Sequence, residues 1–508
     1  MTFEIFKCDL GGRIGSIQTS RGTVETPAFV PVIHPVRQGI PAAKIQDMGF
    51  NLVITNAYIA MKNHGEEAVR RGIHGIIGFD GPVMTDSGGY QVLEYGDVDT
   101  DPAAMARFEE GIGSDIAVPL DRPTGIGLSR KRAGELVRHT LRVSKETLEN
   151  SSGGPLWAGP IQGSEHLDLV RSSAKALTGY GFRMMALGSP VEFMESYEYG
   201  PLAGMIAAAR ESIPDSVPLH LFGAGHPLTI PLAISLGCDT FDSASYILYA
   251  RQGRYITEDG TRRIKEMGYL SCSCEVCSKY TAPELAGAKD KERIDGIALH
   301  NLHAIKSEVD RVKEAIHEGR LWEYTMKKMR AHPRLFESAR ILEQNGARFI
   351  RTTPRFKSRA VFLFGPEDQY RPEVISYHNM AREYTTRKKI LCITRDAQIK
   401  PAYLSPQYST LKARFIDPGK VQFCQYNPVL GIIPVEISDI FPAAHYVYGG
   451  RAEPGDFAEF AITWDAFLAR NKFAEIHYEK TDPFISHFIK RAKGARRLAL
   501  KSRKRKNT

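Results

Sequence analysis

The sequence predicts an α/β protein whose first 345 residues form a (β/α)8 barrel. Short apolar runs alternate with longer amphipathic stretches, and eight such units fit within about 250 residues. An open, doubly wound sheet is the alternative, but no Gly-x-Gly-x-x-Gly follows the first run. The predicted strands are Ala28–Val32, Asn51–Thr55, Pro82–Asp86, Asp115–Asp121, Leu156–Gln162, Phe182–Gly188, Val217–Gly223 and Cys238–Asp242.

Helices are predicted between these strands, for example over Arg130–Asn150, Leu167–Leu177 and Pro227–Leu236. Because each strand is followed by a helix, the connections are crossovers and the sheet is parallel. A further helix is predicted over Leu302–Gly319, after the barrel pattern has ended.

Three carboxylates, an amide, a glycine and an aromatic stand at the ends of six predicted strands. The C-terminal ends of barrel strands face one mouth, so we expect these residues to converge there. A lone Asp at a strand end is more often a helix cap or a turn residue, and the expectation therefore depends on the convergence. The six residues are Asp86, Asp121, Gln162, Gly188, Phe222 and Asp242.

A cysteine cluster lies where the barrel pattern is interrupted, between about residues 260 and 310. Cys272, Cys274 and Cys277 have C-x-C-x-x-C spacing, and His300 and His303 follow. Three thiolates and one imidazole complete a tetrahedral shell without an open position, which is typical of a structural zinc site with one ion per chain. An iron–sulfur cluster needs a fourth cysteine or an open iron, and this spacing suggests neither. Three unrelated buried thiols are the other alternative. The spacing does not indicate which of the two histidines is the fourth ligand.

A smaller α+β domain is predicted over residues 350–480, and a basic tail over 481–508. The domain has candidate strands at Ala360–Phe364, Ile390–Thr394 and Val421–Ile437, and we find no catalytic signature in it. From Lys490 onward there are ten Lys or Arg and no acid, whereas the rest of the chain is about neutral. Such a tail is typical either of a nucleic-acid-binding segment or of a solvated, disordered end.

The composition and the N-terminal sequence indicate the cellular compartment of the protein. No apolar run reaches the roughly 18 residues of a membrane span, and the first 15 residues lack the apolar core of a secretory signal. Seven cysteines, three of them clustered, favour a reducing compartment over a disulfide framework. We therefore expect a cytoplasmic protein without membrane contact.

The strand-end residues suit base exchange in a nucleic acid. Two carboxylates from separate strands suit displacement at an anomeric carbon, in which one forms a covalent glycosyl intermediate and the other transfers protons. A third carboxylate beside an amide suits a guanine edge, because Asp accepts from N1–H and N2–H while Gln donates to O6. A base inside folded RNA must be extruded and stacked between aromatic faces. These roles alone leave the reaction undetermined.

Two glycine-rich strings have competing interpretations. The Asp-Ser-Gly-Gly at Asp86–Gly89 also occurs around the nucleophile of trypsin-like proteases, but this chain shows no partner histidine motif and no export signal. The glycines instead allow a sharp turn close to a flat ligand. The loop at Leu221–Pro227 could cradle a phosphate, yet it lacks the Lys-Ser/Thr of a P-loop.

Several motifs resemble those of tRNA-guanine transglycosylases. They are TDSGGYQ (Thr85–Gln91), GPIQG (Gly159–Gly163), FDS (Phe241–Ser243), LHNL (Leu299–Leu302) and the C-x-C-x-x-C. GSDIAVPLD, HLFGAGHP and FDSASYILYAR are most similar to the archaeal, archaeosine-forming branch. The resemblance covers about residues 1–345 and extends more weakly to about residue 450.

This resemblance implies a barrel with an inserted zinc site. It also implies exchange of guanine at position 15, in the D-arm of tRNA, for free 7-cyano-7-deazaguanine. Asp242 would be the nucleophile and Asp86 the general acid/base. Asp121 and Gln162 would read the base, Tyr90 and Phe222 would stack on it, and the stretch from Gly188 to Val191 would supply backbone contacts. The implied zinc ligands are Cys272, Cys274, Cys277 and His300.

The chain departs from the family pattern in two ways. Position 90 is Tyr where Phe is common, and no RNA-binding PUA domain is visible after about residue 450. We therefore expect the grip on tRNA to come from a separate PUA-containing subunit, or from the basic tail together with a homodimer. Two other hypotheses remain: a non-exchanging paralogue or accessory subunit that acts on the inserted base, and a zinc-containing RNA-binding protein without catalysis. Retention of Asp86, Asp121, Gln162 and Asp242 argues against the first of these.

Overall fold

The computed structural model describes residues 3–89, 101–450, 452–492 and 495–500. The chain divides into two compact units, residues 1–342 and 343–508. Within the described ranges, no helix is both long and apolar enough to cross a membrane.

Eight parallel strands form a barrel in the first unit, as the sequence predicted. In sheet order they run β4, β11, β10, β9, β8, β7, β6, β5, and a bridge between Val32 and Ile54 brings the two ends of the sheet together. All eight predicted runs overlap one of these strands, although the strand before Asp121 is only two residues long. The strands are β4 (Ala28–Pro31), β5 (Val53–Asn56), β6 (Val83–Asp86), β7 (Ile116–Ala117), β8 (Leu156–Ile161), β9 (Met184–Leu187), β10 (Leu219–Leu221) and β11 (Thr240–Ser243).

Apolar side chains fill the barrel interior and leave the polar strand ends at one mouth. Val30, Ile54 and Met84 belong to this core, together with Ile17 and Val24 from an antiparallel meander. A side-chain hydrogen bond joins the meander to the segment that precedes β11: Arg13 Nε donates to Asp239 Oδ1 at 2.9 Å. It therefore closes the N-terminal end of the barrel, opposite the mouth. Its strands are β1 (Phe3–Asp9), β2 (Gly12–Thr19) and β3 (Gly22–Thr26).

Helices surround the barrel strands and supply the crossovers. The Ser129 side chain caps the predicted helix Arg130–Asn150 by accepting from Arg132 N. The helices of this part are α1 (Ala42–Asp47), α2 (Ala57–His64), α3 (Glu66–Ile77), α4 (Pro102–Gly111), α5 (Arg130–Asn150), α6 (Leu167–Tyr180), α7 (Val191–Glu195), α8 (Tyr199–Glu211), α9 (Ile230–Leu236) and α10 (Ser245–Arg251).

The cysteine segment lies between a hairpin and a long helix. The hairpin consists of β12 (Arg254–Thr257) and β13 (Gly260–Arg263), and α11 (Ala282–Gly287) follows the cysteines. The predicted helix at Leu302–Gly319 is the C-terminal part of α12 (Asp290–Glu318), which ends at Gly319 in the left-handed conformation. Then come α13 (Leu321–Met329), α14 (Pro333–Glu337) and α15 (Ala339–Asn345).

The second unit contains a five-stranded, mostly parallel sheet of order β17, β16, β15, β19, β20. The sequence predicted an α+β region here, and this unit combines helices with a mixed sheet: β17 pairs antiparallel with β16, while the other neighbouring strands pair in parallel. A two-stranded parallel sheet, β14 with β18, lies in the same unit. The strands are β14 (Val361–Leu363), β15 (Ile390–Arg395), β16 (Val421–Asn427), β17 (Gly431–Pro434), β18 (Tyr446–Tyr448), β19 (Glu475–Tyr478) and β20 (Arg496–Ala499), and the α-helices are α16 (Pro372–Glu383), α17 (Pro406–Lys412), α18 (Ala458–Arg470) and α19 (Pro483–Ile489).

The start of the predicted basic tail is part of this fold, which differs from the expectation of a tail from residue 481. Phe484, Ile485, Phe488 and Ile489 of α19 are buried in the core of the second unit. Strand β20 then pairs with β19. The helix itself contains no Lys or Arg, and the basic residues begin directly after it, at Lys490. Residues 493–494 and 501–508 lie outside the described residues.

Candidate active site

Asp86 ends β6 at the barrel mouth. It lies in register with Asn56 at the end of β5, and Asn56 Nδ2 donates to Asp86 Oδ2 at 3.1 Å. Gly88 N donates to Asp86 Oδ1 at 3.3 Å. Burial, and then the charge of Asp242, raise the pKa of Asp86 to about 6. A carboxyl group with such a pKa exchanges protons readily near neutral pH.

Asp121 lies beside the loop that follows Asp86. A Cβ at position 89 would collide with Asp121 Oδ1, so only glycine permits this close approach. Gln162 Nε2 donates to Asp121 Oδ2 at 2.5 Å. Burial, and then the charge of Asp86, raise the pKa of Asp121 to about 7. Asp86, at the end of β6, and Asp121, after β7, are thus close enough to influence one another's ionisation.

The orientation of the Gln162 amide is fixed by its surroundings. Its Oε1 accepts from Thr124 N, Thr124 Oγ1 and Ser189 Oγ, each at 3.1 Å. Because Thr124 N can only donate, the carbonyl must face the loops and the NH2 group must face Asp121. A Cβ at Gly188 would collide with this amide. The pair therefore presents a donor beside a carboxylate, the complement of a guanine edge.

Asp242 on β11 completes the group of acids. His220 Nε2 and Gly223 N both lie 3.0 Å from its Oδ1. Gly223 adopts a φ of +66°, and a Cβ there would collide with Val191. The Phe222 ring lies edge-to-face with His220, with ring centroids 4.8 Å apart. The segment after Gly188, which includes Val191, and the loop after β10 therefore meet beside Asp242.

Eight residues were predicted to act on the base, and the structure places seven of them at this mouth: Asp86, Asp121, Gln162, Gly188, Val191, Phe222 and Asp242. The eighth, Tyr90, lies outside the described residues. Sequence reasoning missed Asn56, although Asn56 also ends a barrel strand and the strand-end rule could have found it. It also gave no role to His220, which lies inside a strand rather than at its end.

The cysteine cluster forms a four-ligand group that could hold a metal ion. The ligand atoms of Cys272, Cys274, Cys277 and His300 all lie within 4.8 Å of one another. His300 Nε2 lies 2.8 Å from the Ile256 carbonyl, which accepts its proton and leaves Nδ1 free to coordinate. Nδ1 is 3.6 Å from Cys274 Sγ and 3.4 Å from Cys277 Sγ. His303 does not belong to this group.

Tyr255 packs against this group from one side. Its ring stacks on His300 with centroids 3.6 Å apart, and its hydroxyl lies 3.1 Å from Cys277 Sγ. Four protein donors leave no position for a substrate, so the residues fit a structural metal better than a catalytic one.

Comparisons with known proteins agree with this arrangement. A family model described as queuine tRNA-ribosyltransferase matches residues 8–334. The tRNA-guanine(15) transglycosylase of Aeropyrum pernix is 42% identical over 89% of each chain. The enzymes of the same name from Methanosarcina acetivorans and Saccharolobus solfataricus are 40% and 36% identical, over 87% and 93% of this chain and 86% and 96% of their own. The chain is therefore an enzyme of the tRNA-guanine transglycosylase family.

Proposed function

We propose that this protein replaces guanine at position 15 of tRNA with free 7-cyano-7-deazaguanine, a step of archaeosine biosynthesis. The observation that carries the proposal is the placement of three carboxylates and one oriented amide at a single barrel mouth. The position number comes from the relatives, which are named tRNA-guanine(15) transglycosylases. We assign catalysis to the barrel, residues 1–345, including the metal segment.

The proposed reaction passes through a covalent enzyme–RNA intermediate. A carboxylate oxygen of Asp242 attacks ribose C1′ while the bond from C1′ to guanine N9 breaks, and the electron pair leaves with the base. Asp86 donates a proton to the departing guanine. The incoming base then gives its N9 proton to the Asp86 carboxylate and attacks C1′, which releases Asp242 as a carboxylate. Both half-reactions balance without a nucleotide or an oxidant.

Base recognition is proposed to rely on the pair that already exists in the free protein. An ionised Asp121 would accept from N1–H and N2–H, and Gln162 Nε2 would donate to O6. Phe222 would stack on one face of the base and Tyr90 on the other, while backbone between Gly188 and Val191 would contact its edge. Ser189 in this stretch has a φ of +64°, which is rare for a residue with a side chain and typical of functional loops.

The decisive experiment incubates unmodified tRNA with the protein and either 7-cyano-7-deazaguanine or its aminomethyl analogue. We expect exchange at position 15 only, without ATP, and a mass change equal to replacement of a ring nitrogen by a cyano-bearing carbon. Mass spectrometry of nuclease fragments locates the change. If the protein exchanges no base, either alone or with any added partner protein, the result would instead favour the non-exchanging paralogue or accessory subunit. Exchange of the aminomethyl base alone would overturn the substrate assignment.

Affinity for the free base should depend on pH through Asp121. Its pKa of about 7 means that this acid is mostly protonated in the free protein below neutral pH. Only the ionised form accepts two N–H groups, so affinity should rise as pH increases towards 7 and fall about tenfold for each pH unit below it. Calorimetric titration of 7-cyano-7-deazaguanine between pH 5 and about 8 measures this. Asp121→Asn should bind the base weakly, with an affinity that does not change with pH. A wild-type affinity that does not change with pH would contradict the role assigned to Asp121.

The partners of the enzyme are also proposed. Its substrate would be tRNA, gripped by the basic C-terminus and a homodimer or by a separate PUA-containing subunit. The metal would be one structural Zn²⁺ per chain, because thiolate and imidazole donors in a closed tetrahedral set suit this ion. Reduced thiols and tRNA occur together in the cytoplasm, which we propose as its location.

Deleting residues 501–508 tests the basic C-terminus. This cut removes five Lys or Arg and no acid, and it leaves β20 in place, whereas a cut at 489 would remove a strand of the sheet. If these cations contact phosphates, tRNA affinity should fall and the slope of log affinity against log salt should decrease by up to about 3.5. Fluorescence anisotropy at several salt concentrations measures both quantities.

A full-length variant with Gln at the five basic positions is the matched control for this deletion. It should reproduce the deletion if charge is the cause. Equal affinity and equal slope in all three proteins would show that these residues do not grip tRNA.

A further inference from the structure

His220 is a fully buried histidine whose two ring nitrogens are both engaged at the reacting end of the barrel. Nε2 lies 3.0 Å from Asp242 Oδ1, and Nδ1 lies 2.9 Å from Thr240 Oγ1. His220 and Thr240 are direct neighbours in the register between β10 and β11. With the ring edge also against Phe222, the imidazole has one orientation available. Such restraint is typical of a side chain that orients another.

The two oxygens of Asp242 are made unequal by these contacts. Oδ1 accepts from His220 Nε2–H and from Gly223 N–H, both at 3.0 Å. No hydrogen bond to Oδ2 is formed within the described part of the chain. An oxygen that already accepts two hydrogen bonds is a poorer nucleophile, because its lone pairs are occupied. The geometry therefore leaves Oδ2 to attack.

We propose that His220 is a positioning residue for Asp242: it fixes Oδ1 as the oxygen that stays bound to the protein and directs Oδ2 to ribose C1′. This inference rests on the proposed function, since it assumes that Asp242 forms the glycosyl ester. It adds a residue and a division of labour between the two carboxylate oxygens. His220 does not touch the substrate in this account and acts only through Asp242.

The contact matters in both half-reactions. When Oδ2 bonds to C1′, the C1′–N9 bond breaks, the base leaves with its electron pair, and Oδ1 becomes the ester carbonyl oxygen, still held by His220 and Gly223 N. When the incoming base attacks C1′, the C1′–Oδ2 bond breaks and negative charge returns to the carboxylate. Donors already placed at Oδ1 then stabilise the leaving carboxylate without rearranging. No proton needs to leave His220 at any step.

The structure offers a matched control at the opposite end of the same barrel. His74 Nε2 lies 2.8 Å from Asp115 Oδ2, and both residues are buried. Asp115 precedes β7 and also accepts from Val83 N, at the start of β6. It is therefore a buried His–Asp pair of similar geometry that lies away from the mouth. A change at His74 reports the effect of losing such a pair on stability alone.

The test compares His220→Leu, His220→Gln and His74→Leu in full-length protein, with kcat, KM for the free base and the rate of covalent tRNA adduct formation. His220→Leu should lower kcat and the adduct rate by about 100-fold or more, as loss of one placed donor does, with KM changed less than about threefold. His220→Gln retains an N–H group near the position of Nε2 and should recover to within about tenfold of wild type. His74→Leu should lower Tm with kcat within about threefold.

Each outcome decides between the inference and its alternatives. A His220→Leu protein with wild-type kcat, or a Gln variant no better than Leu when both are folded, would overturn the positioning role. If His220→Leu is unfolded, Thr240→Val replaces it, because this near-isosteric change removes only the hydroxyl that holds Nδ1, and it should lower kcat without changing KM. A wild-type protein that forms no adduct would refute the proposed function and this inference together, whereas a wild-type adduct with an unaffected His220→Leu refutes only the inference.

Discussion

Replacing Asp242 by Asn should abolish both the covalent tRNA adduct and base exchange, with a loss of about 10⁴-fold or more. Asn has the same shape, and its Oδ1 can still accept from His220 Nε2 and Gly223 N, so the loop and strand should keep their arrangement. What is lost is the anionic oxygen that we propose bonds to ribose C1′. The adduct is measured as labelled tRNA that remains with the protein on a denaturing gel.

Asp115→Asn is the control for this prediction. Asp115 is another buried barrel carboxylate, but it bonds with His74, Ser20 and Val83 N at the closed end. Its loss should lower Tm and leave adduct formation by the folded protein unchanged. An Asp242→Asn protein that still forms an adduct would move the nucleophile to another residue, and Asp86→Asn would then be the next variant to examine.

Replacing one of the four proposed metal ligands should release the proposed ion and destabilise the segment between β13 and α12. In Cys274→Ser, a buried thiolate is replaced by a poor zinc donor. Structural zinc sites contribute on the order of 10 kcal/mol to folding, so we expect metal content to fall from one ion per chain to near zero and Tm to drop sharply. Elemental analysis and thermal unfolding measure the two effects.

Two controls locate the effect in the four-ligand group. Cys8→Ser changes a half-buried thiol outside the group and should retain the ion. His303→Ala should also retain it, whereas His300→Ala should not. Full metal content in Cys274→Ser, or loss of the ion in His303→Ala, would contradict the ligand assignment.

The barrel and the positions of its acids follow from short-range patterns in the sequence. A short run of five to seven residues marks each predicted strand, and the residue at its end must lie at the C-terminal edge of a parallel barrel. This reasoning predicted the places of Asp86, Gln162 and Asp242. It would have reached Asn56 as well, had the same rule been applied to β5. The topology of a parallel barrel alone brings such residues to one mouth, so their approximate location can be predicted from the sequence.

Other features depend on distances between residues that are far apart in the chain. His300 and His303 are one helical turn apart, and spacing cannot separate them; the Ile256 carbonyl and the Tyr255 ring select His300. In the second unit, the start of the predicted tail forms α19 and β20. The apolar side chains of α19 fit a core made by strands elsewhere in the chain, and β20 pairs with β19.

The amino-acid order by itself determined the barrel, the residues at its mouth and the cysteine motif, because each is encoded by local periodicity or close spacing. Tertiary structure alone decided how these groups act on one another. The direction of the Gln162 amide is set by Thr124 and Ser189, and the inequality of the two Asp242 oxygens is set by His220 and Gly223. Hydrogen bonds and burial depend on separations of a few ångströms between distant segments, and no pattern along the chain specifies them.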